Sequence, residues 1–442
     1  MCNGHDQNIS GSQYDAIYGL PAAIVAIPVT KIPFPPSVRQ SDLTPWVWDP
    51  YVFYEGTNMR RVYLDNNATT QMAPEVIEAI QESFQFYGNA SSMHEFGREA
   101  ISGIEAARSS VAAMIGATPG EIIFTSGGSE SDNSVFAQAR DMIDAGSKRN
   151  RIITSTIEHP AIIETCRYLV KNGYHVDYAS VDSTGKIDQA AYERLLGDDV
   201  LLVSIMAGNN ETGTIQDIVE LSRLAHAHGA LVHTDAVQAI GKMDVDVNSW
   251  NVDYLSISGH KFYGPKGVGA LYVRKGAPFD AFVKGGHQED GKRAGTYNNP
   301  AIIGMGRAAQ LIMDTSREER ETLWKLREKL RTGLQGSIPD VVVNGHPTEC
   351  LPGTLNVSFA GAEGESILLM LDFEGIAVST GSACATGSLE PSYVLLASGL
   401  DVELAHGSIR FSLGRYNTEA DIEYVLEKMP SIIKRLREIS TR

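Results

Sequence analysis

The chain has 442 residues, with 37 Lys and Arg against 54 Asp and Glu, giving a formal net charge of −17. At 43% apolar it holds enough for a sizeable core and too much for a disordered chain, and its length exceeds the roughly 250–300 residues at which one core usually stops growing, so two packed domains are expected. The acidic balance argues against a protein whose main task is gripping nucleic acid or anionic lipid, and no apolar run approaches the roughly 20 residues of a membrane span.

The first stretch, residues 1–60, holds Pro28, Pro33, Pro35, Pro36 and Pro45 and the aromatics Trp46, Trp48, Tyr51, Phe53 and Tyr54, without a helical period. It reads as an irregular extension whose aromatics pack on the body of the protein or on a partner, the body being the simpler choice. It lacks the basic, apolar and small-residue order of a signal peptide, and Asp6 and Asp15 arrive too early for an acid-poor transit peptide. The four cysteines, Cys2, Cys166, Cys350 and Cys384, include no CxxC pair. Neither a zinc site nor a disulfide framework is indicated, and a reducing, cytoplasmic setting is expected.

From residue 121 the chain alternates. Short β-rich runs at 121–126, 151–156, 174–180, 200–206, 230–235, 253–258 and 268–274 are separated by helical patterns, clearest at 129–145 and 217–228. This predicts a large α/β domain over 61–300 with a mostly parallel, seven-stranded sheet covered on both faces. Ligands of such sheets sit beyond the carboxyl ends of the strands.

Those ends carry polar residues in a telling series. Phe124-Thr-Ser-Gly-Gly-Ser-Glu-Ser-Asp-Asn133 reads as strand, Gly-rich turn and helix start. Backbone N–H groups there would bind phosphate, with close approach at Gly128 and a hydroxyl from Ser129, although a plain capped helix explains the same residues. His159 follows the next strand and suits stacking on a flat ring and proton transfer, or a structural role. Asn210, in Ala207-Gly-Asn-Asn-Glu-Thr-Gly213, offers an amide to a ring oxygen or a carboxylate, or simply forms a turn. Asp235 stands 26 residues before Lys261; it suits either a protonated pyridine nitrogen or a helix N-cap. Ser256-Ile-Ser-Gly-His-Lys261-Phe-Tyr-Gly-Pro-Lys-Gly-Val-Gly269 delivers a lysine among small residues. Partial desolvation would keep its amine neutral and able to form a Schiff base with an aldehyde cofactor; the alternative is a surface lysine in a turn. The convergence of these readings on one sheet edge strengthens all of them.

After Pro300 a long charged helical pattern runs over 301–334, and a last one over 418–439, predicting a smaller α+β domain over 301–442. Within it, Ser379-Thr-Gly-Ser-Ala-Cys384-Ala-Thr-Gly-Ser388 sets a thiol among small residues, which reads as a nucleophile or carrier. Cys166, inside an apolar helical pattern, reads as structural. Arg410, in Ser408-Ile-Arg-Phe-Ser-Leu-Gly-Arg415, suits bidentate carboxylate binding or a domain-interface ion pair.

Together with Tyr63-Leu-Asp-Asn-Asn-Ala-Thr-Thr70 and Ser388-Leu-Glu-Pro-Ser-Tyr393, these segments resemble the group I cysteine desulfurases, over some 380 residues from about Val62 onward. In its short C-terminus the chain looks more like the nitrogen-fixation type than the housekeeping type. The resemblance implies a homodimeric pyridoxal 5'-phosphate enzyme of fold type I, in aminotransferase class V, that turns L-cysteine into L-alanine and holds the sulfur as a persulfide. Carried over by position, Lys261 forms the Schiff base and moves the Cα proton, Asp235 pairs with the pyridine nitrogen, and His159 stacks on the ring. Gln238 and Asn210 lie at the ring oxygen. Gly128, Ser129, Ser258 and His260 hold the phosphate, with Thr296 from the other subunit. Arg410 and Asn210 bind the substrate carboxylate, and Cys384 attacks the substrate sulfur.

An iron–sulfur scaffold is the acceptor the resemblance implies, with a brief contact of the cluster to Cys384 through its persulfide; another sulfur carrier is equally compatible. Two positions depart from the family pattern: Gly128-Ser129 stands where Ala-Thr is frequent, and Asp290 where an Arg is usual. A selenocysteine lyase, an aminotransferase and a non-catalytic interaction protein are the competing readings. The Cys384 segment argues against the aminotransferase, and the intact Lys261, Asp235, His159 and Cys384 against the interaction protein.

Overall fold

The computed structural model describes residues 60–380 and 390–439. The proline- and aromatic-rich extension and Cys384 lie outside the described residues.

Each of the seven β-rich runs contains one strand of a single sheet. After a short strand β1 (Val62–Tyr63) come β2 (Ile122–Thr125), β3 (Arg151–Ser155), β4 (His175–Ala179), β5 (Val200–Ser204), β6 (Leu231–Asp235), β7 (Tyr254–Ser258) and β8 (Gly269–Val273). Their order is β2-β8-β7-β6-β5-β3-β4. Pairing is parallel from β4 through β7, and β8 runs antiparallel to both β7 and β2. Strands β2, β5, β7 and β8 are buried at every residue, which is why they read as continuous β-rich runs and not as alternating ones. Helices Gly128–Asp144, Pro160–Lys171, Gln189–Leu195 and Ile218–Ala227 carry the crossovers between successive parallel strands. The β7–β8 connection is short, so β8 reverses direction, and that tight turn carries Lys261.

The order places β5 and β4 on opposite sides of β3. Chains leaving the carboxyl ends of β3 and β5 therefore diverge, and a crevice opens between them. His159 and Asn210 follow those two strands.

A second, antiparallel sheet has the order β12-β13-β10-β9, formed by β9 (Val341–Asn344), β10 (Thr354–Phe359), β12 (Ser379–Thr380) and β13 (Ser408–Ser412); β11 (Ile376–Ala377) pairs in parallel with β1. Its core includes Leu355, Val357, Ile409, Phe411 and, from the helix Glu419–Ile439, Ile422, Val425 and Met429.

One helix, Asn299–Ser337, serves both cores. At 39 residues it is about 58 Å long. Ala301, Met305, Ala308 and Ile312 bury against the large sheet's core. Leu323, Leu326, Leu330 and Leu334, spaced to fall on one helical face, bury in the second. The Asn298 side chain caps its start and Pro300 occupies its first turn. Val62 and Leu64, far back in sequence, also belong to the second core. No helix among the described residues is long and apolar enough to cross a membrane.

Candidate active site

The carboxyl ends of the large sheet deliver their polar residues into one cavity of about 350 Å³. Gly128 and Ser129 enter from the end of β2, His159 from β3, Asn210 from β5, Asp235 and Gln238 from β6, and Ser258, His260 and Lys261 from β7; Arg410 arrives from β13 of the second sheet. All were singled out from sequence. Thr296 is exposed and does not line the cavity of its own chain, and Cys384 is outside the described residues.

At one end stands the N-terminus of the helix Gly128–Asp144. A Cβ on Gly128 would lie 2.7 Å from a Val237 methyl, so only glycine fits without displacing it. The free N–H groups of that first turn, with Ser129, Ser258 and His260, form an anion cradle. His260 Nδ1 lies 3.1 Å from Thr69 Oγ1. Burial, followed by the charges of Lys261, Lys266 and Lys242, pushes the imidazole down to about 4, so it meets an anion as a neutral donor.

His159 caps the helix Pro160–Lys171, its Nδ1 accepting from Ala161 N at 3.1 Å. Burial, and then the Lys261 charge, lower its pKa to about 4. The ring is neutral at pH 7, and with Nδ1 accepting, its proton sits on Nε2.

Asp235 ends β6, and its Oδ1 accepts from Val237 N at 2.8 Å. Burial raises it to about 6, while Val237 N–H and the Lys261 charge act against the rise. Asp132 lies beside it with Oδ1 buried and without a hydrogen bond. Burial and the Asp235 charge push Asp132 well up, so Asp132 keeps its proton and Asp235 carries the negative charge. His233, below them, donates to or accepts from Ser204 Oγ at 2.8 Å and Ser256 Oγ at 3.0 Å; burial lowers it to about 3 and keeps it neutral. Glu158 is fully buried, its Oε1 accepting from Ser155 Oγ and Met206 N, and burial raises it to about 8. Burial favours the protonated form of Asp132 and Glu158, whereas Val237 N–H and the Lys261 charge favour the anionic form of Asp235.

Lys261 Nζ donates to the carbonyl oxygens of Asn67 at 2.7 Å and Ala68 at 2.9 Å. Arg410, buried, donates through Nη1 to Asn210 O at 3.0 Å and through Nη2 to Asp65 Oδ1 at 2.8 Å, and its Nε has no hydrogen-bond partner.

Sequence reasoning missed the residues that hold these groups in place. Asn67 is the centre of the site. Its backbone oxygen accepts from Lys261 and Gln238, its Oδ1 from Lys242, and its Nδ2 donates to Asn210 O and Thr354 Oγ1. It lies in the Tyr63–Thr70 segment, which carried family resemblance but no chemistry of its own. Asp132, on the buried face of its helix, and Lys242, four residues past Gln238, gave no signal beyond ordinary charged positions.

Cys166 and Cys350 are free and buried, and burial pushes both thiols up. Cys166 is thus structural, as read. No group of three or more metal-ligating side chains occurs among the described residues.

The arrangement fits a flat, phosphorylated pyridine aldehyde. The helix N-terminus and its hydroxyls match the phosphate, the Asp235 carboxylate a protonated ring nitrogen, and Lys261 the aldehyde. The buried Arg410 Nε, without a hydrogen-bond partner, is the orphan expected beside a polar ligand.

The family model for aminotransferase class-V matches residues 62–425. A cysteine desulfurase of Nostoc sp. is 49% identical over 385 residues, covering 86% of this chain and 95% of its own. The cysteine desulfurase NifS of Azotobacter vinelandii is 45% identical over 384 residues, covering 86% and 95%. A solved NifS-like protein superimposes with a TM-score of 0.78 at 40% identity, covering 86% of this chain and 99% of its own. With its cavity residues in place and this match over most of its length, the chain belongs to the aminotransferase class-V family.

Proposed function

We propose that the protein is a pyridoxal-phosphate-dependent cysteine desulfurase, converting L-cysteine to L-alanine and receiving the sulfur as a persulfide on Cys384. The observation that carries this reading is the single cavity that joins Lys261, Asp235, His159 and Arg410. The names of the relatives favour it over a selenocysteine lyase.

When bound, pyridoxal phosphate supplies an electron sink for negative charge at the substrate Cα. The chain's own residues do the rest. Asp235, ionised and buried, favours a protonated ring nitrogen. Arg410 grips the substrate carboxylate with Asn210. The Lys261 amine, tethered by two carbonyls, moves the proton at Cα, and the neutral His159 ring, with its proton on Nε2, is poised to give one. Cys384 as thiolate attacks the substrate sulfur. An S–S bond forms, the C–S bond breaks, and its electron pair stays on carbon, which is then protonated. Cysteine plus thiol gives alanine plus persulfide, in balance.

Both roots of the segment that carries Cys384 are fastened beside the substrate-binding residues. Ser379 pairs with Arg410 across the sheet. Ser392 Oγ donates to the buried Glu211, the neighbour of Asn210, and Tyr393 donates to Glu158 O, the neighbour of His159.

We read residues 61–300 as the cofactor-binding domain and 301–442 as the smaller domain carrying Cys384, with Val62 and Leu64 lending it apolar contacts. A homodimer is proposed on the exposed aromatic face of Phe84, Tyr87 (78% exposed) and Phe96 near Met93 (91% exposed), which suits a second copy, and on Thr296, which needs a partner's cavity to act. An iron–sulfur scaffold is the proposed acceptor and the cytoplasm the proposed setting. The test is product analysis: L-cysteine with a thiol reductant should yield alanine and sulfide in equal amounts. Pyruvate and ammonia in place of alanine would contradict the reading.

A further inference from the structure

Gln238 lines the cavity, and its amide is nearly symmetric in shape, so the fold must decide whether nitrogen or oxygen faces a ligand. Two neighbours decide it. Lys242 Nζ, which carries N–H donors in either protonation state, lies 2.6 Å from Gln238 Oε1. The Asn67 carbonyl, which can only accept, takes one Nε2 hydrogen at 2.9 Å. The second Nε2 hydrogen is left for the cavity.

Lys242 is itself held. Its Nζ also donates to Asn67 Oδ1 at 2.9 Å, so Asn67 grips both Lys242, through its side chain, and Lys261, through its backbone. Gly241 makes this possible. Its φ of +76° belongs to the left-handed region, and a Cβ there would lie 2.8 Å from Ile312 Cδ1. The chain thus turns back and brings the lysine under Gln238. Lys242 is half-buried; desolvating a cation is costly, and desolvation followed by the Lys261 and Arg410 charges pulls it down to about 7. A lysine kept at such a site in spite of that cost, and bonded to two cavity residues, calls for a purpose.

We infer that Lys242 is a positioning residue that locks the Gln238 amide with its nitrogen toward the cofactor, making Gln238 an obligate hydrogen-bond donor to the cofactor's ring oxygen. Lys242 does not touch the cofactor; it acts through Gln238. The inference rests on the cofactor reading proposed above.

The test is a double-mutant cycle on full-length protein, stripped of cofactor with an amine reagent and titrated with pyridoxal 5'-phosphate by visible absorbance. Lys242→Met keeps length and packing but removes the donor. It should weaken cofactor binding about tenfold and shift the pH titration of the visible band. Gln238→Ala should weaken binding comparably. The double variant should be no weaker than Gln238→Ala alone, because both changes remove one interaction. If Lys242→Met does not fold, Lys242→Gln, which retains a donor for Gln238 Oε1 but from a shorter stem, runs the same cycle and should lose less than tenfold. Wild-type affinity and an unshifted band in the single Lys242 variant would overturn the inference, as would full additivity in the double. A wild-type protein that binds no pyridoxal 5'-phosphate would instead overturn the cofactor reading, and the inference with it.

Discussion

At the scale of single residues, buried carboxyls give the site a measurable pH signature. Glu158 is buried at 0% exposure and raised from its ordinary 4.5 to about 8. A raised pKa means that the folded state holds the proton after the unfolded state has lost it. Its contribution is therefore fully present below pH 4.5 and is lost as pH rises through about 8. Glu158→Gln cannot titrate, so its stability relative to wild type should climb by on the order of a few kcal/mol between pH 4.5 and 8, then level off. Urea unfolding of the cofactor-free proteins at pH 5 and pH 8.5 checks this; a difference that does not change with pH would show that Glu158 is ionised throughout. His159 runs the other way. Its lowered pKa keeps it neutral down to about 4, so the pH–rate profile should show no step near 6.5 that disappears in His159→Gln. The polar types at strand ends were legible because each follows a β-rich run. Asn67 was not, because its carbonyl is one that any residue type would supply and its side chain pairs with groups more than 140 residues away in sequence.

At the scale of elements, close backbone approach and one buried ion pair brace strands β2 and β8. Gly269 opens β8, and a Cβ there would lie 2.5 Å from Ile257 O and 2.7 Å from Gly127 Cα. Gly269→Ala should push β8 away from both the Lys261 strand and the phosphate turn, costing about 1–3 kcal/mol and weakening cofactor binding; a melt and a binding curve that match wild type would contradict the tight fit. Arg108 meets the buried Glu289 at 2.6 Å, and Glu289 also accepts from Phe124 N in β2. Removing one member of a buried pair strands the other, so Glu289→Ala should cost about 3–5 kcal/mol in chemical denaturation. Asp290, the family departure, is exposed at φ +54°, and Asp290→Asn, which also suits that conformation, should change stability within about 0.5 kcal/mol. Equal losses would mean that the departure is structural. The seven strands were legible from their β-rich, fully buried runs. The small sheet's short strands were not located individually, because two-residue strands such as β11 and β12 carry no periodicity.

At the scale of the whole molecule, length led to the expectation of two packed domains, and the helix Asn299–Ser337 contributes residues to two separate apolar clusters. A continuous helical pattern cannot reveal that its two halves face different cores. Charge on the exposed aromatic face should separate a dimer: Tyr87→Glu with Phe96→Glu should sediment as a monomer and lose activity, and restoring both aromatics should return both. A double variant that remains dimeric would place the subunit contact elsewhere. The proposed reaction needs the cofactor cavity and the Cys384 thiol together. The measurement that tests it most directly is alanine formation from L-cysteine with a reductant, comparing wild type with Cys384→Ala at equal cofactor occupancy. Wild type should form alanine and sulfide one for one, and the variant less than about a hundredth as much, since removing a covalent nucleophile leaves no route for the sulfur. A variant as active as wild type would show that Cys384 is not the nucleophile and contradict the account.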